Sequence, residues 1–216
     1  MKSEFSNSFS NHPNDTGGHS QWGSVDVVSL GETMGLMRQE PSDQLELQFS
    51  SGFGGTESNV MTQMSRLGLK ARWISSLGND AFGSRIAQGL ANEGVQVFCP
   101  ENNVNNTGLM IKTYAGKENP DVAYYRKDSA ASRLDLKDVP SELISTASLI
   151  HITGIYPALS STSLETTMQI LEIAKQSSLL ISFDVNYRAK LWGDAQSVKV
   201  LSEICCSANH DLGRGD

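Results

Sequence analysis

A short glycine-rich stretch that leads into a helix is the part of this sequence most suited to chemistry. Gly52-Phe53-Gly54-Gly55 precedes a pattern typical of an amphipathic helix, which ends near Leu67-Gly68. Glycine lets a ligand rest on bare main chain, and the first turn of a helix offers unpaired N–H groups and a positive dipole end. Asn59 lies one turn inside this helix. We therefore predict a site for a polar, oxygen-rich small molecule at Gly54, Gly55 and Asn59.

The segment Tyr124-Tyr125-Arg126-Lys127 is a second candidate. In a β-strand, Tyr124 and Arg126 share one face. A guanidinium holds a carboxylate through two parallel hydrogen bonds and a phenol adds a third, so this pair suits a sugar acid. A solvated edge strand with a surface arginine explains the same residues equally well.

The segment Phe183-Asp184-Val185-Asn186-Tyr187-Arg188 is a third candidate. If the chain stays extended, Asp184, Asn186 and Arg188 share a face, and Arg188 could be a second clamp on an anion. From the residues alone, the favoured interpretation is that Asp184 or Asn186 caps a helix while Arg188 lies in solvent.

Other polar residues have structural interpretations. Asp80 suits the N-cap of a helix, Glu57 in a first helical turn would complement the helix dipole, and His151 inside an apolar strand suits a hydrogen-bonded core. The sequence contains neither the P-loop pattern nor the dinucleotide fingerprint, and no zinc-ligand spacing. No metal site is predicted.

Strands alternate with helices along most of the chain, which predicts an α/β fold with a mostly parallel sheet. In such sheets, ligands bind beyond the carboxyl ends of the strands. Glu32, Gly54-Gly55, Gly154 and Asp184 all fall at or just beyond predicted strand ends. Strands near residues 33–51, including one over Leu45 to Phe49, and near residues 107–127 do not follow this rhythm, and we expect them to form a small attached β layer.

Composition excludes several classes of function. The 216 residues carry a net charge of −7, which disfavours a nucleic-acid surface, and no apolar run is long enough to span a membrane. The three cysteines are odd in number and lack metal spacing, which indicates reduced thiols in the cytoplasm.

The two ends of the sequence differ from the rest in composition. Residues 1–24 are polar and predict a disordered leader, whereas residues 209–216 lose the apolar pattern and are interpreted as an aberrant tail.

Several motifs together resemble a known family. Gly54-Gly55-x3-Asn59 and Gly78-Asn79-Asp80-x2-Gly83 resemble the first signature of the ribokinase-like (PfkB) sugar kinases. The resemblance covers about residues 25–208. The following three segments are similar to the 2-keto-3-deoxygluconate kinase branch: Tyr124 to Ser132, His151 to Ile155, and Phe183 to Trp192.

The resemblance implies a Rossmann-like body with a β-strand lid, which often pairs across a homodimer. It implies that ATP, with Mg²⁺, phosphorylates a small-molecule sugar acid. The roles it implies for the residues of this chain are as follows: Glu32, Gly54, Gly55 and Asn59 hold substrate hydroxyls; Tyr124, Arg126 and Arg188 hold the carboxylate; Asp184 and Asn186 lie near the nucleotide.

The family's second signature, Gly-Ala-Gly-Asp, which carries the general base, does not occur in the sequence. No catalytic residue is therefore assigned. We expect a C-terminally truncated kinase that keeps the substrate-binding half, has an incomplete sheet and is inactive alone. The alternatives are a non-catalytic sugar-acid-binding or dimerising fragment, and a kinase for another sugar such as fructose or ribose. A nucleotide-binding dehydrogenase is disfavoured because the fingerprint glycines are missing.

Overall fold

Three β-sheets, one of them with only two strands, and five α-helices make up the part of the chain seen in the computed structural model, which describes residues 22–41, 47–114, 120–192 and 194–208. The strands are β1 (Val25–Leu30), β2 (Met34–Gln39), β3 (Phe49–Gly54), β4 (Ala71–Ile74), β5 (Leu77–Gly78), β6 (Gln96–Phe98), β7 (Glu101–Asn102), β8 (Leu109–Thr113), β9 (Asp121–Tyr125), β10 (Ala147–Thr153) and β11 (Leu180–Asp184). The α-helices are α1 (Thr56–Arg66), α2 (Ala81–Asn92), α3 (Glu142–Ser145), α4 (Ser161–Gln176) and α5 (Asp194–Ser207). Short 3₁₀ turns cover Ala131–Arg133, Leu136–Asp138 and Tyr156–Ala158.

The central sheet is parallel throughout, with the order β11-β10-β1-β4-β6. This confirms the predicted α/β class. Successive residues of β1 enter opposite faces, because side chains alternate along a strand. Val27 packs against Met61 of α1 in one apolar cluster, and Val28 joins Ile170 of α4 in the other. The sheet is thus covered by helices on both faces, which explains its nearly continuous apolar strands.

Side-chain caps fix the starts of two helices. Asp80 accepts a hydrogen bond from the Gly83 N–H at 2.8 Å at the start of α2, which confirms its interpretation as an N-cap. Ser160 and Ser163 form a reciprocal capping box at the start of α4. Each cap satisfies N–H groups that the helix itself leaves unpaired.

The second sheet has the order β3-β2-β8-β9 and mixes antiparallel with parallel pairs. The first two residues of the predicted strand over Leu45 to Phe49 lie outside the described chain, and the observed strand β3 begins only at Phe49 and continues to Gly54. Gly52 and Phe53 pair with Leu36 and Gly35 of β2. Main-chain pairing extends this strand although glycine has a low β-propensity. Pairing of lid strands across a homodimer stays a prediction.

The predicted leader and tail lie mostly outside the described residues. Trp22, inside the predicted leader, packs its ring edge-on against Phe98 with centroids 5.6 Å apart. The predicted tail over residues 209–216 lies wholly outside them. Every helix in the described ranges is too short or too polar to cross a membrane.

Candidate functional site

Three neighbouring strands bring polar groups to one edge of the central sheet. Glu32 follows β1, Thr153 ends β10, and Asp184 ends β11. These strands are adjacent and parallel, so their carboxyl ends share an edge. Adjacent strands lie about 4.8 Å apart, so β1 and β11 are separated by about 10 Å. A single small molecule can span this distance.

The start of α1 packs closely against the segment that follows β1. Gly55 is the N-cap residue of α1 and provides no side-chain cap. A Cβ atom at Gly55 would clash with the carbonyl oxygen of Glu32 and with Thr33. Thr33 Oγ1 also donates a hydrogen bond to Ser58 Oγ at 2.6 Å. Glycine is therefore required at position 55 for this close approach, and it brings no side-chain oxygen to the first-turn N–H groups of α1.

A buried ion pair connects the central sheet to the chain that leaves the second sheet. Arg126, just after β9, pairs with the Glu32 carboxylate, and the side chains are 13% and 1% exposed. Ser129 Oγ donates a second hydrogen bond to Glu32 Oε1. The Arg126 Nε–H is buried and has no acceptor among the described residues. A buried donor without a partner is costly, so this nitrogen is suited to an acceptor brought by a ligand.

Arg126 and Tyr124 lie on one side of a depression of about 370 Å³. The guanidinium carbon of Arg126 is 5.9 Å from the centroid of the Tyr124 ring, and Tyr124 is half exposed. Tyr124 and Arg126 thus lie close together although Arg126 lies just beyond the end of β9, with the phenol half exposed and the guanidinium mostly buried. The lining residues are Asn106, Thr107 and Tyr124 through Ser129.

Glu57 is a second buried carboxyl group near this pair. Thr153 Oγ1 donates a hydrogen bond to Glu57 Oε1 at 2.5 Å, and a Cβ atom at Gly31 would clash with the Glu57 carboxyl group. Burial raises the pKa of Glu57 from its ordinary value of 4.5 to about 7. The hydrogen bond from Thr153 and the charge of Arg126 oppose that rise, and the charge of Glu32 adds to it. Glu57 thus faces the interior and does not merely complement the helix dipole in solvent.

Comparison with known proteins identifies the family. The model of the pfkB family of carbohydrate kinases matches residues 25–207. The chain belongs to this family. It is 38% identical to the 2-dehydro-3-deoxygluconokinase of Bacillus subtilis (strain 168) over 83% of this chain and 57% of that protein.

Two solved PfkB-type structures have the same fold as this chain. The 2-dehydro-3-deoxygluconokinase of Thermotoga maritima matches with a TM-score of 0.76 and 27% identity, over 83% of this chain and 56% of that one. The sugar kinase PH1459 of Pyrococcus horikoshii in complex with ATP matches with a TM-score of 0.72 and 30% identity, over 82% and 59%. The chain therefore spans little more than half the length of these relatives.

Not all the predicted site residues of this PfkB chain face the same depression. Asn59 is exposed on α1, about 200° around the helix from Glu57. It lines a separate depression together with Phe53, Thr62, Gln63, Arg66 and Glu93. The structure brings Glu32, Gly55 and Arg126 together, whereas Asn59 lies apart from them.

Arg188 is exposed on the segment between β11 and α5. The chain does not stay extended there, because Asp184 Oδ1 accepts a hydrogen bond from the Asn186 N–H at 3.1 Å and Asn186 has a φ of 34°. The predicted shared face of Asp184, Asn186 and Arg188 therefore does not form by strand alternation. Asp184 closes a local turn and caps no helix.

The burial of Glu57 and its hydrogen bond with Thr153 were not predicted from the sequence. The only sequence signal for them was their position beside predicted strand and helix ends. His151 donates to or accepts from Ser182 Oγ at 3.1 Å, as a core histidine should, while its Nε2 is buried without a partner in the described chain. The described residues contain no cluster of three or more His, Cys, Asp or Glu that could hold a metal ion.

The raised pKa of Glu57 predicts how stability depends on pH. Between pH 4.5 and about 7 the native protein keeps a proton that the unfolded chain has lost, so the free energy of unfolding falls as pH rises. The full effect is about 3 kcal/mol. We expect Glu57→Gln, measured by urea unfolding across this range, to lack that fall. The variant Glu172→Gln, at an exposed position, serves as control and should show the same fall with pH as the wild type. If Glu57→Gln also shows that fall, the raised pKa does not belong to Glu57.

Proposed function

We propose that this chain forms the acceptor site of a PfkB sugar-acid kinase and that its substrate is 2-keto-3-deoxygluconate, also called 2-dehydro-3-deoxygluconate. The observation that carries the proposal is the buried Arg126–Glu32 pair beside Gly55, in which the Arg126 Nε–H lacks an acceptor. A guanidinium that is fixed in place and still has a free donor is suited to bind a carboxylate. The similarity to named 2-dehydro-3-deoxygluconokinases supports this substrate class.

The proposed binding mode uses the central sheet and the second sheet. The acid group of the sugar would lie against Arg126, with the phenol of Tyr124 at the rim of the depression. The hydroxyl groups would extend along Gly54 and Gly55 to the first turn of α1, where N–H groups need acceptors. Arg188 lies on the same edge of the central sheet and would contact the far end of the sugar. Asn59 faces the separate depression and has no contact with the ligand in this binding mode.

The PfkB family implies ATP, and Mg²⁺ accompanies ATP in phosphoryl transfer. Asp184 and Asn186 supply carboxylate and amide oxygens at the end of β11, and magnesium prefers oxygen ligands. These two residues fit a role beside the metal-bound phosphates. When bound, ATP would supply the phosphoryl group. The residues of this chain would hold the acceptor, orient its acid group and shield the Glu32–Arg126 pair from water.

The proposal predicts binding without appreciable turnover for a polypeptide of these 216 residues. Titration calorimetry should give saturable binding of 2-keto-3-deoxygluconate, with much weaker binding of the neutral sugars fructose and ribose, because only the acid satisfies Arg126. Phosphoryl transfer should be slight, since the resemblance assigns the general base and its neighbouring amides to Gly-Ala-Gly-Asp, which these residues do not contain.

Two outcomes would contradict the proposal. Equal affinity for fructose and for the sugar acid would remove the role given to Arg126. ATP-dependent phosphorylation well above a control without enzyme would show that the general base lies elsewhere in these residues.

A further inference from the structure

Glu57 is a buried carboxyl group for which the proposed binding mode has no direct use. It lies in the first turn of α1, where an acidic side chain usually turns toward solvent and the helix dipole. Here it is 1% exposed. Burying a carboxyl group is costly unless its hydrogen bonds are made, so its retention at this place calls for a role.

Two strand ends hold the Glu57 carboxyl group. Thr153, the last residue of β10, donates to Glu57 Oε1 and accepts a hydrogen bond from the Ile155 N–H at 3.1 Å. Gly31, just after β1, contacts the other side of the carboxyl group so closely that a Cβ atom would not fit. The start of α1 is thereby fixed to β10 through a single side chain.

The end of β10 in turn fixes the segment that carries Arg188. The Gly154 N–H donates to the Asp184 carbonyl oxygen at 2.9 Å, and Trp192 Nε1 donates to the Gly154 carbonyl oxygen at 2.8 Å. A Cβ atom at Gly154 would clash with the Val185 carbonyl oxygen. Residues 184–192 are therefore held at both ends against Gly154, one residue from the Glu57 partner Thr153.

We propose that Glu57 is a positioning residue that couples the helix start at Gly54-Gly55 to the segment carrying Arg188, and that it does so in its protonated form. This inference rests on the proposed function, because it concerns the two sides of the same acceptor site. A neutral carboxyl group keeps the hydrogen bond with Thr153 and adds no negative charge beside an anionic ligand. Ionisation would place that charge in a low-dielectric interior, where repulsion of the ligand is strong.

The charged and titratable groups around Glu57 come from three segments. Glu32 follows β1, Arg126 follows β9, and Tyr156 follows β10. Arg126 favours the ionised form of Glu57 and Glu32 disfavours it. Burial raises the pKa of the Tyr156 phenol, and the charges of Glu57 and Glu32 raise it further, so Tyr156 stays neutral in the working range. The pKa of Glu57, about 7, lies near neutral pH.

The first test measures the affinity for 2-keto-3-deoxygluconate by calorimetry in the 216-residue protein. Between about pH 6 and about pH 8, wild-type affinity should fall about tenfold, the scale of one added like charge nearby. Glu57→Gln should match the wild type at the lower pH and stay flat. Glu57→Ala should bind the sugar acid more weakly than the wild type at both pH values, and Glu57→Gln should not show this loss at the lower pH. The exposed Glu172→Gln should follow the wild type.

The second test needs no ligand. Hydrogen exchange should be faster in Glu57→Ala than in the wild type at the amides of Gly154, Ile155, Leu191 and Trp192, and unchanged in Glu57→Gln. Unchanged exchange in Glu57→Ala, or a wild-type pH dependence of affinity that persists in Glu57→Gln, would overturn the inference. If the sugar acid does not bind the wild type while the exchange changes as expected, the positioning role stands and the proposed substrate is wrong.

Discussion

Replacing Arg126 with alanine is expected to weaken binding of 2-keto-3-deoxygluconate by about 100-fold, or about 3 kcal/mol. The guanidinium is the buried cation of the candidate site, and one of its N–H groups has no acceptor in the described chain. A ligand carboxylate would lose a charge-assisted hydrogen bond and would also face the unpaired carboxylate of Glu32. Binding should be measured by titration calorimetry with the sugar acid and with fructose, whose weak binding should change little.

Loss of Arg126 also removes a buried ion pair, so binding must be separated from folding. Removing one partner of such a pair destabilises by about 3–5 kcal/mol, because a buried charge remains uncompensated. The double variant Glu32→Gln/Arg126→Met removes both charges and should recover much of that stability while its affinity stays low. Arg133 lies nearby, is half exposed and pairs with Asp128, so Arg133→Ala is the matched control. Retained affinity in the folded double variant would contradict the role of Arg126.

The sequence was sufficient to predict the parallel sheet and the edge at which polar residues meet. Apolar strands alternate with helices in the sequence, and a polar residue lies at or just after the end of each of three strands: Glu32, Thr153 and Asp184. Strands connected in parallel have their carboxyl ends at the same edge of the sheet. Asp80 was also predictable, because an N-cap depends on a local pattern of residues. Each of these predictions uses only short-range rules and the handedness of parallel connections.

The remaining features depend on contacts between distant parts of the chain. The burial of Glu57 depends on the missing Cβ atom of Gly31, which is far away in sequence. The side of α1 on which Asn59 lies depends on the rotation of the helix about its axis relative to the sheet. The glycine-rich sequence before α1 does not determine that rotation. Strand β3 extends through Gly52 to Gly54 because β2 pairs with it, although the residues themselves disfavour a strand.

Arg72 gives the largest stability effect that we expect for a residue outside the candidate site. It lies in β4 near the amino end of the sheet, opposite the edge that carries Glu32, and is 1% exposed. Its five hydrogen bonds all go to uncharged oxygens, and burial lowers its pKa. The acceptors are the Gly23 carbonyl (2.7 Å), the Leu143 carbonyl (2.7 Å), Thr146 Oγ1 (3.1 Å) and Gln96 Oε1 (3.0 Å from Nη2 and 3.3 Å from Nε).

Replacing Arg72 with methionine keeps most of the side-chain volume and removes the donor of all five hydrogen bonds, of which the bond to the Leu143 carbonyl is fully buried. We expect the free energy of unfolding to fall by at least about 3 kcal/mol, a large share of the 5–15 kcal/mol typical of a folded protein. Arg72→Lys should be intermediate, because an ammonium has three donors where the guanidinium uses five. Urea unfolding measures the loss, and Arg66→Met, which removes an exposed arginine paired with Glu93, should unfold close to the wild type. An equal free energy of unfolding for Arg72→Met and the wild type would contradict this prediction. It would show that these hydrogen bonds do not stabilise the contacts of β4 with β6, with the end of α3 and with the residues that precede β1.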